Sequence, residues 1–303
     1  MADRRLQVFH AVAKQLSFTK AAEVLFMTQP AVTFQIKQLE EHFNTRLFER
    51  GHGKISLTPA GDIVLEYAER ILGLSSELDV RLGEMTGQIG GPLLVGASTT
   101  IAEFMLPRIL GEFKSQYPHV KPRLVVANSE SIETRVAEHT LDIGLIESPS
   151  HQSNLQCEVC CDDELVAICA PGSPLARLKE ATPQLLAEHP FISREQGSGT
   201  REVTDNYFRT AGVEPDSLNL VIELGSPEAI KGVVETGIGF AIVSKASVVK
   251  EKRLGDLVAI PLKPRLNRTL SMVYPKEKFR SRLVNTFVEF AKLKLKQFVV
   301  KQG

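Results

Sequence analysis

No stretch of this chain reaches the roughly 18 consecutive apolar residues that a membrane-crossing helix requires, so no membrane span is expected. The start, Met1 to Phe9 (MADRRLQVF), lacks the apolar core of a signal peptide, and a cytoplasmic protein is expected. An excess of one charge is missing too. The 36 basic residues are matched by 36 acidic ones, so no global field announces nucleic acid or any other charged partner. Catalytic signatures are absent as well: there is no G-x-S-x-G, no P-loop and no H-E-x-x-H. Gly197-Ser198-Gly199 lacks the strand–turn–helix setting of a nucleophile elbow. Gly237-Ile238-Gly239 lacks the third glycine of a dinucleotide fingerprint and reads as a turn before a strand. Neither an enzyme nor a cofactor is expected.

Cysteine is scarce, with four in 303 residues, and a cytoplasmic setting would keep them reduced. Cys157, Cys160 and Cys161 cluster, and C-x₂-C offers two thiolates. Adjacent Cys161 and remote Cys169 make a poor tetrahedral set, however, and none of the seven histidines falls at ligand spacing beside them. No metal site is expected. Small buried hydrophobes are the favoured role, with redox sensing as the alternative.

What is present begins at Ser17. Residues 17–39, SFTKAAEVLFMTQPAVTFQIKQL, hold two short amphipathic helices with a polar break between them. In the first, Ala21, Ala22 and Leu25 recur at helical spacing, and Ser17 or Thr19 can cap the start. Met27-Thr28-Gln29 forms the break, and Pro30 sits where a second helix tolerates its missing N–H. The second helix buries Val32, Ile36 and Leu39, which leaves hydroxyls and amides outside with few charges. Such a face suits base edges in a major groove. A helical hairpin inside a core is the plainer alternative.

The following residues favour nucleic acid. Asn44 to Arg50 lead into Gly51-His52-Gly53-Lys54 and then Ile55 to Gly61, where glycines and basic residues make a hairpin wing for a phosphate backbone. The first 58 residues carry a local net charge of +3. That excess is small, so specific contacts and dimerisation must add to the electrostatic attraction. The pieces AAEVL, TQPAVTFQIKQLE, LFER and LTPAG, in this order, resemble the N-terminal domain of LysR-type transcriptional regulators. The candidate DNA contacts are Phe18, Thr19, Thr28, Gln29, Pro30, Ala31, Thr33, Gln35, Lys37, Arg50 and Lys54.

From Pro59 to about Ile89 the pattern is one long helix. Val64, Tyr67, Ile71, Leu74, Leu78, Leu82 and Met85 form a narrow stripe between charged residues, like a coiled-coil seam. Packing on the chain's own next domain is the alternative. The resemblance implies that this helix pairs two subunits, so that two recognition helices address a roughly palindromic double-stranded operator.

Gly87-Gln88-Ile89-Gly90-Gly91-Pro92 is the clearest boundary. Beyond it short apolar runs alternate with helical ones, which predicts βαβ units and a parallel sheet. Leu93–Ala97, Arg123–Ala127 and Leu141–Glu147 read as strands around helices at Ala102–Tyr117 and Ser129–Glu138. A second set spans Leu165 to Val243, and strand Thr269–Tyr274 with helix Ser281–Leu295 returns to the first. Hinges are expected near Cys161–Glu164 and Pro264–Asn267. The expected class is α/β, with a winged helix-turn-helix over 1–58 and a linker helix over 59–89. The resemblance then implies a two-lobed, periplasmic-binding-protein-like effector domain. Lobe I would take 90–161 with 266–303, and lobe II 162–265.

Such a domain closes on a small molecule at the carboxyl ends of its strands. Ser98-Thr99-Thr100, Asn128-Ser129, Gly197-Ser198-Gly199-Thr200-Arg201 and Ser226 each open a helix, where free N–H groups favour an anion. Simple helix capping is the other account of these residues. The resemblance implies an effector pocket at Ser98, Thr100, Glu147 and Thr200, and the wider candidate set adds Thr99, Ser129, Arg201 and Ser226. Glu147 opposes a bare anion unless Arg201 or Lys231 offsets it or its carboxyl is protonated. The stretches ASTTIAEFMLP, DIGLIE, GSGTRE and ELGSPEAIKGVVETGIGFAIVSK are most similar to regulators of sulfur assimilation and carbon fixation. An oxyanion, a phosphorylated metabolite or a small carboxylate is the effector this implies. The resemblance also implies a homodimer or homotetramer that can engage RNA polymerase.

Overall fold

The computed structural model describes residues 4–25, 27–51, 54–85, 89–276 and 281–300. The chain divides into two compact units, Met1–Gln88 and Ile89–Gly303.

The first unit runs α1 (Arg4–Gln15), α2 (Phe18–Leu25), α3 (Gln29–Phe43), β1 (Phe48–Gly51), β2 (Lys54–Leu57) and α4 (Pro59–Met85). Ser17 caps α2 by accepting from the Lys20 N–H at 3.2 Å. Thr28 caps α3 through Ala31, with Pro30 in the first turn. Asn44, in the left-handed conformation, ends α3 by donating its N–H to Glu40 and Glu41 carbonyls. Val32, Ile36 and Leu39 of α3 pack on Val8, Phe9 and Val12 of α1 and on Ala21 and Ala22 of α2. The Glu40 carboxylate accepts from the Leu47 and Phe48 N–H groups, tying the β1–β2 hairpin to α3. Gly61 admits the close pass of that hairpin: a Cβ there would stand 2.2 Å from the Leu47 carbonyl oxygen. Along α4 Ala68 is buried, while Tyr67, Ile71, Leu74 and Leu78 are exposed. The side chains of Leu82 and Met85 lie outside the described residues, as do Gly87 and Gln88.

The second unit runs β3 (Gly91–Ser98), α5 (Thr99–Phe104), α6 (Leu106–Gln116), β4 (Val120–Ala127), α7 (Ser129–Ala137), β5 (Ile143–Ile146) and β6 (Leu155–Cys169). It continues with α8 (Pro183–Ala187), β7 (Phe191–Arg194), α9 (Gly199–Thr210), β8 (Leu220–Leu224), α10 (Pro227–Glu235), β9 (Ala241–Ser244), α11 (Val249–Leu254), β10 (Val258–Pro275) and α12 (Arg282–Val300). One sheet has the order β4-β3-β5-β10-β6-β9, with β3 parallel to β4 and β5 and β10 antiparallel to β5 and β6. Strands β7 and β8 pair in parallel, and a bridge from Phe191 to Phe240 brings β7 beside β9. Lobe I packs α6 and α12 on one face, through Ile109, Phe113, Phe287 and Ala291. It packs α7 on the other, through Ile132 and Val136. Lobe II buries Leu165, Phe191, Phe208, Phe240 and Ile260 on one side and Val166, Ile230, Val234 and Val243 on the other.

Two expectations change. The helix expected over 102–117 is two helices, α5 and α6, divided at Met105. Pro107 cannot donate to residue 103 and its ring crowds that carbonyl, so one continuous helix is blocked. The expected hinge segments are not breaks between strands. They lie inside β6 and β10, which run antiparallel through both lobes with a shift of register between Pro261 and Leu266.

Candidate functional site

Of the candidate contacts on α3, Thr28 at the cap, Gln29, Pro30 and Lys37 are exposed, with Ala31, Thr33 and Gln35 half-buried beside them, and Phe34, Glu41, His42 and Phe43 of the same helix are exposed as well. Thr33 donates its hydroxyl proton to the Gln29 carbonyl at 3.0 Å, and the Gln29 amide donates to Thr33 Oγ1 at 3.4 Å. Thr33 therefore offers outward a methyl and an acceptor, while the Gln29 amide keeps its carbonyl and one N–H for a base edge. Thr19 is exposed at the start of α2. Phe18 does not join this face. Its ring is buried edge-on against Phe48 at 5.8 Å, because an aromatic residue at the α2 start closes the core over the hairpin. The backbone of Arg50 and Lys54 lies in β1 and β2, and their side chains lie outside the described residues.

In the second unit the hydroxyl-rich segments meet around one carboxylate. Glu147 is 1% exposed. Ser98 donates to its Oε1 at 2.6 Å and Thr200 to its Oε2 at 2.9 Å. The Glu147 N–H donates to Ser129 Oγ. Lobe I supplies Ser98, Ser129 and Glu147; lobe II supplies Thr200 at the start of α9. Gly199 sits so close that a Cβ would stand 2.8 Å from Ser129 Oγ and 2.9 Å from the Glu147 carbonyl carbon.

The residue that organises this group is Arg268, which the sequence did not single out. Its Nη1 donates to Thr200 Oγ1 at 2.7 Å and to Glu147 Oε2, and its Nε donates to Asp163 Oδ2 at 2.8 Å. Ser244 holds the other Asp163 oxygen at 2.7 Å. Burial, the largest single effect on Glu147, raises its pKa. The Arg268 guanidinium, the Ser98 hydroxyl, Arg194 and Thr200 outweigh it and bring the value down to about 2. Glu147 is thus ionised, and the charge facing it comes from Arg268. Arg201 instead bonds Glu223, Asp205 and the Arg194 carbonyl. Lys231 bonds Glu228, Glu251 and the Ser247 carbonyl.

Capping explains only part of the pattern. Asn128 does cap α7, through Ser131. Ser98, Ser198 and Ser226 make no side-chain cap at the helices they precede. Thr99 Oγ1 and Ser198 Oγ are buried without a hydrogen-bond partner among the described residues. Arg268 Nη2 lies 2.8 Å from Asp163 Oδ2 yet out of line for a hydrogen bond, so its protons lack an acceptor there too. Thr100 is buried in the first turn of α5. Among the described residues no hydrogen bond joins Ser226 or Arg201 to the Glu147 group.

Three of the four thiols are held protonated. Burial, the largest effect on each, pushes Cys160 up to about 11 against the pull of Lys292, pushes Cys161 up to about 12 with the help of Cys160 and nearby carboxylates, and raises Cys169. Thiols so protonated are weak nucleophiles. Among the described residues no group of three or more His, Cys, Asp or Glu could hold a metal ion, and no helix is long and apolar enough to cross a membrane.

Two families match the chain: "Bacterial regulatory helix-turn-helix protein, lysR family" over residues 4–62 and "LysR substrate binding domain" over residues 86–296. A "Probable RuBisCO transcriptional regulator" from Porphyra purpurea is 34% identical, covering 93% of this chain and 90% of that protein. The regulatory domain of Synechocystis PCC6803 CcmR in complex with 2-PG is 30% identical, with a TM-score of 0.62. It aligns with 67% of this chain and 96% of its own length. A mutant of Corynebacterium glutamicum OxyR with hydrogen peroxide bound is 21% identical with a TM-score of 0.67 over 98% of this chain and 94% of that one, a likeness of fold. The relatives therefore fall on the carbon-fixation side of the two branches that the effector domain resembles. With a family match in each unit and a relative 34% identical over 93% of this chain, the chain belongs to the LysR family of DNA-binding transcriptional regulators, which are not enzymes.

Proposed function

We propose that this regulator responds to a small phosphorylated acid held between its lobes beside Glu147, and that α3 reads the operator. One observation carries the effector reading. Thr99 Oγ1 and Ser198 Oγ are buried donors lacking an acceptor, one beside Ser98 and one two residues before Thr200, which both bond Glu147, and Nη2 of Arg268, which itself bonds Glu147, has no hydrogen-bonded acceptor. Leaving a buried donor unpaired costs about 1–3 kcal/mol, and an oxyanion would supply the acceptors. The N-termini of α7 and α9 add oriented N–H groups toward negative charge. The ligand named for the CcmR regulatory domain, 2-PG, supports this choice over a bare inorganic ion.

On this reading residues 1–58 bind DNA, 59–89 pair two subunits, and lobes 90–161 with 266–303 and 162–265 close on the effector. The exposed stripe of Tyr67, Ile71, Leu74 and Leu78 supports a homodimer through α4, with a homotetramer and contact with RNA polymerase as further assembly. The protein then works in the cytoplasm. Closure favoured by the effector changes how the paired helix-turn-helix units address DNA and how they bend it.

The test is a thermal-shift series on the full chain with 2-PG, other phosphorylated acids, phosphate, sulfate, sulfite and unphosphorylated carboxylates. A ligand that binds only the folded state raises the midpoint as its concentration exceeds Kd. A shift with phosphorylated acids that shrinks in Ser198→Ala and Thr200→Val supports the reading. Shifts only with carboxylates, or none, overturn it.

A further inference from the structure

We propose that Phe34 reads the 5-methyl group of thymine in the major groove. The inference rests on α3 being the base-reading helix and adds a contact that polar residues cannot make. Val32, Ile36 and Leu39, spaced by four and three, form the stripe that α3 buries. Pro30, Phe34, Lys37 and Glu41 follow at the same kind of spacing, each pair of stripes offset by two residues, about 200° around the helix. Phe34 therefore stands near the middle of the outward face, and it is 57% exposed.

Its exposure has no cause inside the domain. Phe9, Phe18 and Phe48 share the core there, with ring centroids 5.3 and 5.8 Å apart. The buried stripe of α3 is filled by aliphatic residues, so no core position is left for Phe34. An aromatic ring on a face otherwise made of Gln29, Pro30, Thr33 and Lys37 calls for an apolar partner. In the major groove every base edge offers donors, acceptors or both, and thymine alone adds an apolar group, its 5-methyl. The Gln29 amide, five residues earlier and about 140° around the helix from Phe34, keeps the carbonyl and N–H that suit adenine N6 and N7. Together these groups specify an A·T-containing half-site: amide on adenine, ring on a thymine methyl.

The experiment uses an operator duplex recovered from a random library by selection with the full-length protein. Each thymine of a half-site is replaced in turn by deoxyuridine, which removes only the methyl, and Kd is read by fluorescence anisotropy. Wild-type protein should lose about fourfold per half-site at one position, the effect of one methyl leaving an apolar contact. Phe34→Ala should bind the thymine operator with a similar loss and be indifferent to deoxyuridine at that position. Its thermal midpoint should match wild type, since the ring is outside the core. No deoxyuridine effect in wild type, or an equal effect in Phe34→Ala, overturns the inference. Unchanged affinity in the Gln29→Ala, Thr33→Ala double variant overturns instead the reading of α3 on which it rests.

Discussion

Arg268 and Asp163 face each other as register partners on β10 and β6, where the two strands pass from one lobe to the other, and Arg268 Nε donates to Asp163 Oδ2 at 2.8 Å. The same guanidinium reaches Glu147 in lobe I and Thr200 in lobe II. One buried cation thus joins the crossover strands to both walls of the cleft. Replacing Arg268 by Met keeps the volume but leaves two buried carboxylates facing one another. Breaking a buried pair in this way costs about 3–5 kcal/mol. Urea unfolding of the full chain should show a loss in that range; a loss below about 1 kcal/mol, the scale of an exposed pair, would mean that the cluster is solvated.

Gly199→Ala tests closure. The added Cβ would press on Ser129 Oγ and on the Glu147 backbone, both across the lobe seam. Neither lobe core contains this position, so both should stay folded while the closed arrangement becomes rarer. If closure falls to a tenth, the apparent effector Kd rises about tenfold. Calorimetric titration would show this, and an unchanged Kd would separate effector binding from this contact.

The sequence made the periodic parts legible. Val32, Ile36 and Leu39 occupy the buried face of α3 as their spacing predicts, and the alternating segments after Pro92 do form βαβ units. Residues whose role depends on distant partners were not legible. Arg268 sits in a polar run with no periodicity, and only the pairing of β6 with β10 sets it opposite Asp163. Phe18 lies beside exposed Thr19 in sequence, and only the packing of Phe48 turns it inward. The core contribution of α1, through Val8, Phe9 and Val12, likewise appears once α3 gives it a surface to cover. Pro107 is a readable signal, since proline inside a helical pattern marks a break.

Leu74→Glu should dissociate the dimer that α4 is proposed to form. Leu74 is 65% exposed in the single chain, between Ile71 and Leu78 of the same stripe. Two carboxylates facing each other in an apolar seam lose hydration without gaining a partner. The isolated fold should be spared because α4 meets its core through Ala60, Val64, Leu65 and Ala68, not through Leu74. Sedimentation equilibrium should report a monomer with an unchanged circular-dichroism spectrum. A Leu74→Glu protein that stays dimeric would move the subunit contact elsewhere.

Thiol chemistry should discriminate among the cysteines. Cys157 is exposed, Cys160 is buried, and Cys161 is half-buried. Burial that lifts Cys160 to about 11 and Cys161 to about 12 leaves almost no thiolate at neutral pH. A disulfide reagent at pH 7 should modify Cys157 rapidly and the other two only on unfolding. Peroxide treatment should leave operator affinity within about twofold, a change of less than ~0.5 kcal/mol. Fast modification of Cys160 with loss of operator binding would restore redox sensing as the mode of control.

Acid should erase the stabilising effect of the Glu147 charge. Its folded pKa is depressed to about 2 from an ordinary 4.5, mainly because Arg268 and its hydroxyl donors outweigh burial. A depressed carboxylate pKa contributes stability that is fully present above the unfolded value and is lost as pH falls through the folded one. The window is therefore pH 4.5 down to about 2. Asp163, raised chiefly by its burial, has the opposite sign and blurs the profile of the wild-type protein alone. The difference between wild type and Glu147→Gln reduces that background, since Asp163 is present in both and only the part of its shift that comes from the Glu147 charge is lost in the variant. At pH 7 the variant should be less stable by about 2–3 kcal/mol, a buried hydrogen-bonded charge having been lost. By pH 3 the gap should have narrowed, because the unfolded wild-type chain, with Glu147 near its ordinary 4.5, takes up a proton that folded Glu147, held near 2, does not. Urea midpoints at pH 7, 5 and 3 would measure it. A gap that stays constant over this range would show that Glu147 titrates alike in the folded and unfolded chain, so that Arg268 and the hydroxyl donors lend its charge no net stabilisation.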